Sequence, residues 1–81
     1  MEVNILLPEL GAAPVRLSVW YADEGESVFA GDRLVEVLLA GATFDVAAPA
    51  TGRLQLKKAK SGEELHSGQI LGIVNADEEE F

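Results

Sequence analysis

The side chains that could bind a metal ion are few and poorly matched. Two glycine turns are flanked by carboxylates of the kind that Ca²⁺ prefers: Asp23, Glu24, Glu26 and Asp32. Their spacing does not follow the EF-hand loop, and turn propensity and solubility explain them better. His66 has no cysteine or second histidine to complete a zinc site, so it is predicted to be a solvent-facing turn histidine. We therefore expect no metal site.

Groupings of residues that carry out catalysis are also missing from the sequence. It contains no Ser/His/Asp arrangement, no phosphate-binding loop and no convincing pair of carboxylates for acid–base chemistry. The absence of cysteine excludes thiolate chemistry and disulfides, and is compatible with a reducing cytosol. We expect a cytoplasmic, non-enzymatic chain without catalytic residues.

Charge narrows the classes of partner. Six basic residues stand against fourteen acidic ones, for a net charge of −8, which disfavours nucleic acid and anionic membrane surfaces. The apolar run 5–7 is broken by Pro8 and is too short to span a membrane. Four of the acids lie at 77–80. We expect one domain over residues 1–76, followed by a disordered acidic tail or linker start at 77–81.

The elements that position these residues are predicted to be β-strands throughout. Apolar residues alternate in short runs separated by Gly, Pro and Asp, and no segment has a convincing helical period. In the second strand, alternation places Val15, Leu17, Val19 and Tyr21 on one face. The predicted strands are 3–7, 15–21, 27–29, 33–39, 43–48, 52–58, 63–66 and 70–74.

An internal repeat organises these strands. A shift of 37 residues superimposes Arg16 on Arg53 and Gly25 on Gly62 without a gap, along with further glycine and apolar positions. Each half is too small to bury its own apolar face, so the halves are expected to pack about a pseudo-twofold axis. The predicted fold is all-β, a flattened barrel or sandwich of two small antiparallel sheets.

The two halves are joined by a hairpin. The strands on either side of Ala40-Gly41 are connected by a tight turn, in which Gly41 supplies the positive φ that two-residue turns usually need. By the repeat, the symmetry mate of this turn falls where the first and last strands meet, near Asn4 and Glu78. The hairpin tip is therefore expected at the end opposite to the chain termini.

Several motifs, in ungapped register, carry a resemblance to a known family. They are the segments 7–11 (LPELG), Trp20 before Gly25-Glu26, 30–37 (AGDRLVEV), Ala48-Pro49 with Gly52, and 67–71 (SGQIL). The sequence resembles the lipoyl/biotinyl attachment domains, and most closely the lipoyl domains of the acyltransferase (E2) components of 2-oxo acid dehydrogenase complexes. The resemblance covers about residues 3–74 and implies a barrel-sandwich hybrid of two four-stranded antiparallel sheets.

The sequence departs from this family at the hairpin tip. Family members carry a modifiable lysine there, and counting from Gly25 or back from Gly52 places that position at Gly41. Ala40 and Ala42 flank it, so the tip offers no ε-amine. Leu38 and Leu39 stand where family members commonly have polar residues. We expect no cofactor at this position, where the family cofactor would be lipoyl or biotin.

Two other groups of residues near these elements need an interpretation. Lys57, Lys58 and Lys60 are expected to form an exposed basic edge that discourages sheet-to-sheet pairing, rather than an attachment site. Leu38, Leu39 and Phe44 lie near the tip, and alternation sends the two leucines to opposite faces. Covering of the core is the favoured interpretation, and a partner-binding tip is the alternative.

Three functions stay open at this stage. The first is a degenerate lipoyl-like domain, a monomeric interaction or spacer module whose protein partners include dehydrogenase-complex subunits. The second is a genuine acyl-carrier domain of an acyltransferase, modified atypically or with its lysine removed. The third is a barrel-sandwich module of a membrane-fusion or transport adaptor. Gly25 and Gly62 are predicted to need positive φ, so valine at either position is expected to weaken the fold.

Overall fold

The secondary structure of the described residues consists of short β-strands, as the alternation predicts. The structure, a computed structural model, describes residues 1–11 and 14–76. The predicted strand boundaries agree with it to within one residue. Within the described residues the strands are β1 (Glu2–Leu6), β2 (Val15–Trp20), β3 (Ser27–Val28), β4 (Arg33–Leu39), β5 (Ala42–Ala47), β6 (Gly52–Lys57), β7 (Glu64–Leu65) and β8 (Ile70–Asn75).

The strands form two four-stranded antiparallel sheets, which confirms the all-β barrel-sandwich prediction. The strand orders are β1-β8-β6-β3 and β5-β4-β2-β7, so each sheet takes two strands from each half of the chain. Neither half forms a sheet without the other. Inward-facing aliphatic side chains from both sheets make one core, whose most buried members are Ile5, Leu7, Leu17, Leu34, Val35, Val37, Leu54, Leu71 and Val74.

The pseudo-twofold axis predicted from the repeat is visible in the backbone hydrogen bonds. Gly25 N–H donates to Leu54 C=O, and Gly62 N–H donates to Leu17 C=O, both at 2.7 Å. Each turn therefore closes on the β-strand of the other half. The φ angles of the two glycines are 91° and 87°, which agrees with the predicted turns.

A β-bulge in β2 makes one part of the sequence prediction wrong. The pairing of β2 with β4 shifts between Leu17 and Val19, because Ser18 is an extra residue. Beyond the bulge the alternation is reversed: Val19 and Tyr21 are exposed, and Trp20 turns toward the core. β6 has the equivalent shift between Leu54 and Leu56.

Met1 and Ala76 are adjacent, at the symmetry mate of the hairpin tip. Ala76 N–H donates to Met1 C=O at 2.8 Å, beyond the last paired residues Glu2 and Asn75. The symmetry mate therefore lies at Met1 and Ala76, beyond the predicted position at Asn4. Glu78 and the predicted tail 77–81 lie outside the described residues. Within residues 1–11 and 14–76, no helical stretch has the length and apolarity that crossing a bilayer requires.

Candidate functional site

The β4–β5 hairpin ends in a two-residue turn. Leu39 pairs with Ala42, which leaves Ala40 and Gly41 as the tip. Gly41 has φ of 76°, which confirms the predicted need for a residue that tolerates the left-handed region. Both tip residues are exposed, and a side chain at Gly41 would meet no atom within 4 Å. The tip therefore has room for a side chain at Gly41, but its backbone conformation favours glycine.

The three apolar residues near the tip divide between core and surface. Leu39 is half-buried and packs against the core, whereas Leu38 points outward and is 43% exposed. Phe44 pairs with buried Val37 and so shares the inner face, yet remains 39% exposed at the sheet edge. The expectation that the two leucines lie on opposite faces is confirmed, and the tip combines core covering with an exposed apolar surface.

A shallow cleft of about 190 Å³ lies beside the tip. It is lined by Pro14, Arg16, Leu38, Leu39 and Ala40. A hydrogen bond holds the Arg16 guanidinium in place, since its Nη1 donates to Gly62 C=O at 3.0 Å. The cleft therefore joins the hairpin to the segment that precedes β2.

A charged network that was not predicted from the sequence lies on the outer face of the β5-β4-β2-β7 sheet. Tyr21 Oη donates to Glu36 Oε2 at 3.3 Å, and the Arg33 guanidinium carbon lies 4.8 Å from the Tyr21 ring centroid. Arg33 Nη1 is 3.5 Å from Asp45 Oδ2. Desolvation raises the pKa of Tyr21 above 10.0, and the charges of Asp45 and Glu36 raise it further, against an opposing effect of Arg33.

This network depends on the bulge in β2. Simple alternation sends Tyr21 inward, away from Glu36, and only the extra residue Ser18 brings the two side chains to one face. A bulge has no sequence signature as clear as a turn glycine. The two halves of the repeat do carry the same bulge, so the repeat would relate them once one is known.

The predicted basic edge is correct for two of its three lysines. Lys58 and Lys60 are exposed, but Lys57 is half-buried. Its Nζ lies 3.4 Å from Asp23 Oδ1 and 5.7 Å from the Trp20 ring centroid. The description of Lys57 as a solvated residue is therefore wrong, because its stem and amine pack over the indole.

The remaining candidate residues have structural partners. Glu26 and Asp32 accept hydrogen bonds from the N–H groups of Asp23 and Phe29, which closes their turns. Glu24 accepts from Lys57 N–H at 2.8 Å. His66 is exposed, as predicted, at the end of β7. Among the described residues, no three His, Asp or Glu side chains are grouped as metal ligands.

Known proteins share this fold. The lipoyl domain of the 2-oxoglutarate dehydrogenase complex from Azotobacter vinelandii superimposes with a TM-score of 0.69, over 93% of this chain and 95% of that one, at 20% identity. This likeness concerns the fold alone. It agrees with the two four-stranded antiparallel sheets of this chain.

Sequence similarity extends to two curated relatives. Both are the dihydrolipoyllysine-residue succinyltransferase component of the 2-oxoglutarate dehydrogenase complex, from Rickettsia conorii and Rickettsia felis. Each is 29% identical over 77 residues, which is 93% of this chain but 20% and 19% of the relatives. The chain thus spans about a fifth of their length. A model of the biotin/lipoyl family, described as biotin-requiring enzyme, matches residues 3–74, and the chain therefore belongs to the biotin/lipoyl family.

Proposed function

We propose that this domain is a lipoyl/biotinyl-type domain without its modifiable lysine. It acts as a non-catalytic interaction or spacer module related to 2-oxo acid dehydrogenase complexes, and it carries no lipoyl or biotin group. The observation that supports this is the composition of the tip. An amide link to either group needs an amine, and the hairpin 33–47 contains no lysine.

The rest of the hairpin supports the loss of one function rather than collapse of the scaffold. The turn keeps two residues, and both strands pair along their length. The tip positions are Ala40 and Gly41, so the hairpin does not fit a covalently attached group. What it presents instead is apolar surface from Leu38 and Phe44, beside the half-buried Leu39.

Lysines elsewhere are poor substitutes for a tip lysine. Lys57 is held against Trp20 and Asp23, and Lys58 and Lys60 follow it at the far end of β6. None of them lies on a two-residue hairpin turn. They therefore do not present an amine in the geometry that the tip offers.

The relatives suggest the partners. Both belong to the 2-oxoglutarate dehydrogenase complex, so subunits of such a complex are the proposed binding partners of the tip residues Leu38, Leu39 and Phe44. The domain acts as a monomer in the cytoplasm. The relatives also favour this hypothesis over an adaptor for membrane fusion or transport.

Intact mass after co-expression with lipoyl and biotinyl ligases tests the proposal. The native chain is expected to stay unmodified, and a Gly41→Lys variant to gain the mass of one lipoyl or biotinyl group. Gly31→Lys is the matched control, because Gly31 is equally exposed, has φ of 93° and has no atom within 4 Å of a built Cβ.

Each outcome separates the hypotheses. Mass gained by the native chain would establish a carrier domain of an acyltransferase and overturn the proposal. Modification of neither chain would mean that the hairpin is no longer a ligase substrate, and would favour an adaptor module.

A further inference from the structure

The sheet of order β1-β8-β6-β3 has an aliphatic outer face. Pairing places Asn4, Ile73 and Leu56 in one row across three strands, and Leu6 beside Ile70 in the next row. Leu6 is 51% and Leu56 39% exposed, while Ile70 and Ile73 are half-buried. Four aliphatic side chains on adjacent strands therefore form one continuous surface. We name Leu6, Leu56, Ile70 and Ile73 the aliphatic face.

The internal repeat shows that the fold does not require this surface to be apolar. The shift of 37 residues relates Ile73 to Glu36 and Ile70 to Arg33. Glu36 and Arg33 belong to the charged network on the outer face of the other sheet. Equivalent positions therefore carry charges in one sheet and aliphatic side chains in the other. Because the backbone accommodates either, the two isoleucines are better explained by contact with another surface than by folding.

A row of polar side chains borders the aliphatic face. Pairing aligns Glu2, Asn75 and Arg53 across β1, β8 and β6, so the acid and the base lie at opposite ends of the row. Gln55 Nε2 donates to Glu2 Oε2 at 2.7 Å, and Arg53 Nη1 donates to Gly25 C=O at 2.9 Å. These hydrogen bonds hold the two charges apart on either side of Asn75.

The border as a whole has no net charge. Lys58 directly follows β6 and is exposed, and Glu24 accepts a hydrogen bond from Lys57 N–H at 2.8 Å. Together with Glu2 and Arg53, these residues make two acids and two bases. The whole chain carries a net charge of −8, so this face lacks the acidic excess that opposes contact between two copies.

We propose that the aliphatic face packs against the same face of a second copy of this chain, about a twofold axis parallel to β8. Such an axis exchanges the two ends of each row and keeps equivalent rows opposite each other. Glu2 of each copy then faces Arg53 of the other, and the two Ile73 side chains face each other. The surface is therefore complementary to itself in charge and in apolar position, which selects a second copy as its occupant.

The pairing is weak. Four aliphatic side chains per copy cover far less than the roughly 800 Å² per partner of a stable complex. Residues 77–80, all acidic, follow the strand that contains Asn75 and add like charge in both copies. The dilute chain is therefore the monomer of the proposed function, and pairs form at about 0.1–1 mM. This inference goes beyond the proposed function and does not depend on it, because the hairpin tip belongs to the other sheet.

Concentration dependence tests the pairing. Sedimentation equilibrium of the full chain from about 0.02 to 2 mM is expected to show dimers, with amide chemical-shift changes at Asn4, Leu56 and Ile73. Ile73→Glu is expected to weaken association at least about tenfold, and it should fold, because the equivalent position holds Glu36. Val19→Glu is the matched control: Val19 is the symmetry mate of Leu56, is 39% exposed and lies on the other sheet, so this variant should associate like the native chain.

Exchange of charges tests the twofold arrangement. Glu2→Arg and Arg53→Glu each place like charges opposite each other in a pair of identical chains, and each is expected to weaken association about tenfold. An equal mixture of the two variants makes both contacts favourable again, so dimers and shifts are expected to return. Dispersed amide spectra establish that both variants fold.

Three results would overturn the proposal: no dimer at the highest concentration, chemical-shift changes on the hairpin sheet alone, or no recovery in the mixture. Equal weakening by Val19→Glu and Ile73→Glu would also overturn it, since charge alone would then be responsible. The mass measurement on the native chain reports only on attachment of a group, so the proposed function and this inference can fail separately.

Discussion

Arg16 contacts the neighbouring turn that follows β6, where its Nη1 donates to Gly62 C=O at 3.0 Å. The symmetry mate of this contact joins Arg53 to Gly25 C=O at 2.9 Å. In both cases an exposed cation ties down the carbonyl of a glycine with positive φ in the opposite half. The repeat therefore preserves a side-chain contact as well as a backbone shape.

Removing the Arg16 guanidinium while keeping the stem isolates this contact. Arg16→Met is expected to lower the free energy of unfolding by about 0.5–1.5 kcal/mol, the usual net contribution of a hydrogen bond. Chemical denaturation measures the loss. Lys58→Met is the control, since Lys58 is exposed, and an equal loss there would show that charge alone is responsible.

Valine at Gly25 or Gly62 is expected to destabilise the domain by about 1–3 kcal/mol. Both glycines have φ near 90°, where β-branched residues are strained, and both N–H groups close the turn onto the other half. For a domain of this size each kcal/mol lowers Tm by about 4–8 °C. Thermal unfolding that is unchanged in both variants would contradict the turn assignment.

Gly72→Ala is expected to destabilise the domain for a different reason. A Cβ there would lie 2.5 Å from Leu56 O and 3.1 Å from Trp20 Cη2. Overpacking of this kind costs about 1–3 kcal/mol. Trp20 is the only tryptophan, so its fluorescence should also change, whereas Gly25→Ala should leave it unchanged. Native-like emission and stability in Gly72→Ala would argue against this packing.

Alkaline pH is expected to weaken the fold through Tyr21. Its pKa is raised in the folded state, so the folded chain holds the phenol proton more tightly than the unfolded chain. The stability from this proton is complete below pH 10.0 and is lost as the pH rises through the folded pKa. Tyr21 is the only tyrosine, so phenolate absorbance follows it directly.

Neutralising the acidic neighbours should reduce the upward shift of the Tyr21 pKa. Glu36→Gln and Asp45→Asn are each expected to move the titration of Tyr21 toward lower pH, because each removes a negative charge that raises its pKa. Glu2→Gln, in the other sheet, is expected to leave it unchanged. If Tyr21 had the same pKa in all three variants, the described contacts of Tyr21 with Glu36 and Asp45 would be contradicted.

The strands and their arrangement were predictable because local patterns and the repeat agree. Gly25 and Gly62 mark equivalent turns, and the halves that they close cannot bury an apolar face alone. Alternation within 33–39 also places Leu38 and Leu39 on opposite faces, as observed. These features depend on residue type and spacing, which a sequence contains.

The outer face was not predictable, because it depends on register. Ser18 inserts one residue into β2 and exchanges the faces of Val19, Trp20 and Tyr21. The partial burial of Lys57 depends on the same bulge, because Lys57 covers the Trp20 indole and the bulge sets the side to which Trp20 turns. One extra residue thus changed the surroundings of both Tyr21 and Lys57.

The hydrogen bond between Ala76 and Met1 holds the start of the first strand next to the end of the last strand. Because the ends of β1 and β8 are adjacent, a short loop could join them, and new ends could open at Gly41 without removing any sheet pairing. The two halves would then exchange their order along the chain. The domain could equally be grafted into a surface loop of a host protein, with both junctions at one point.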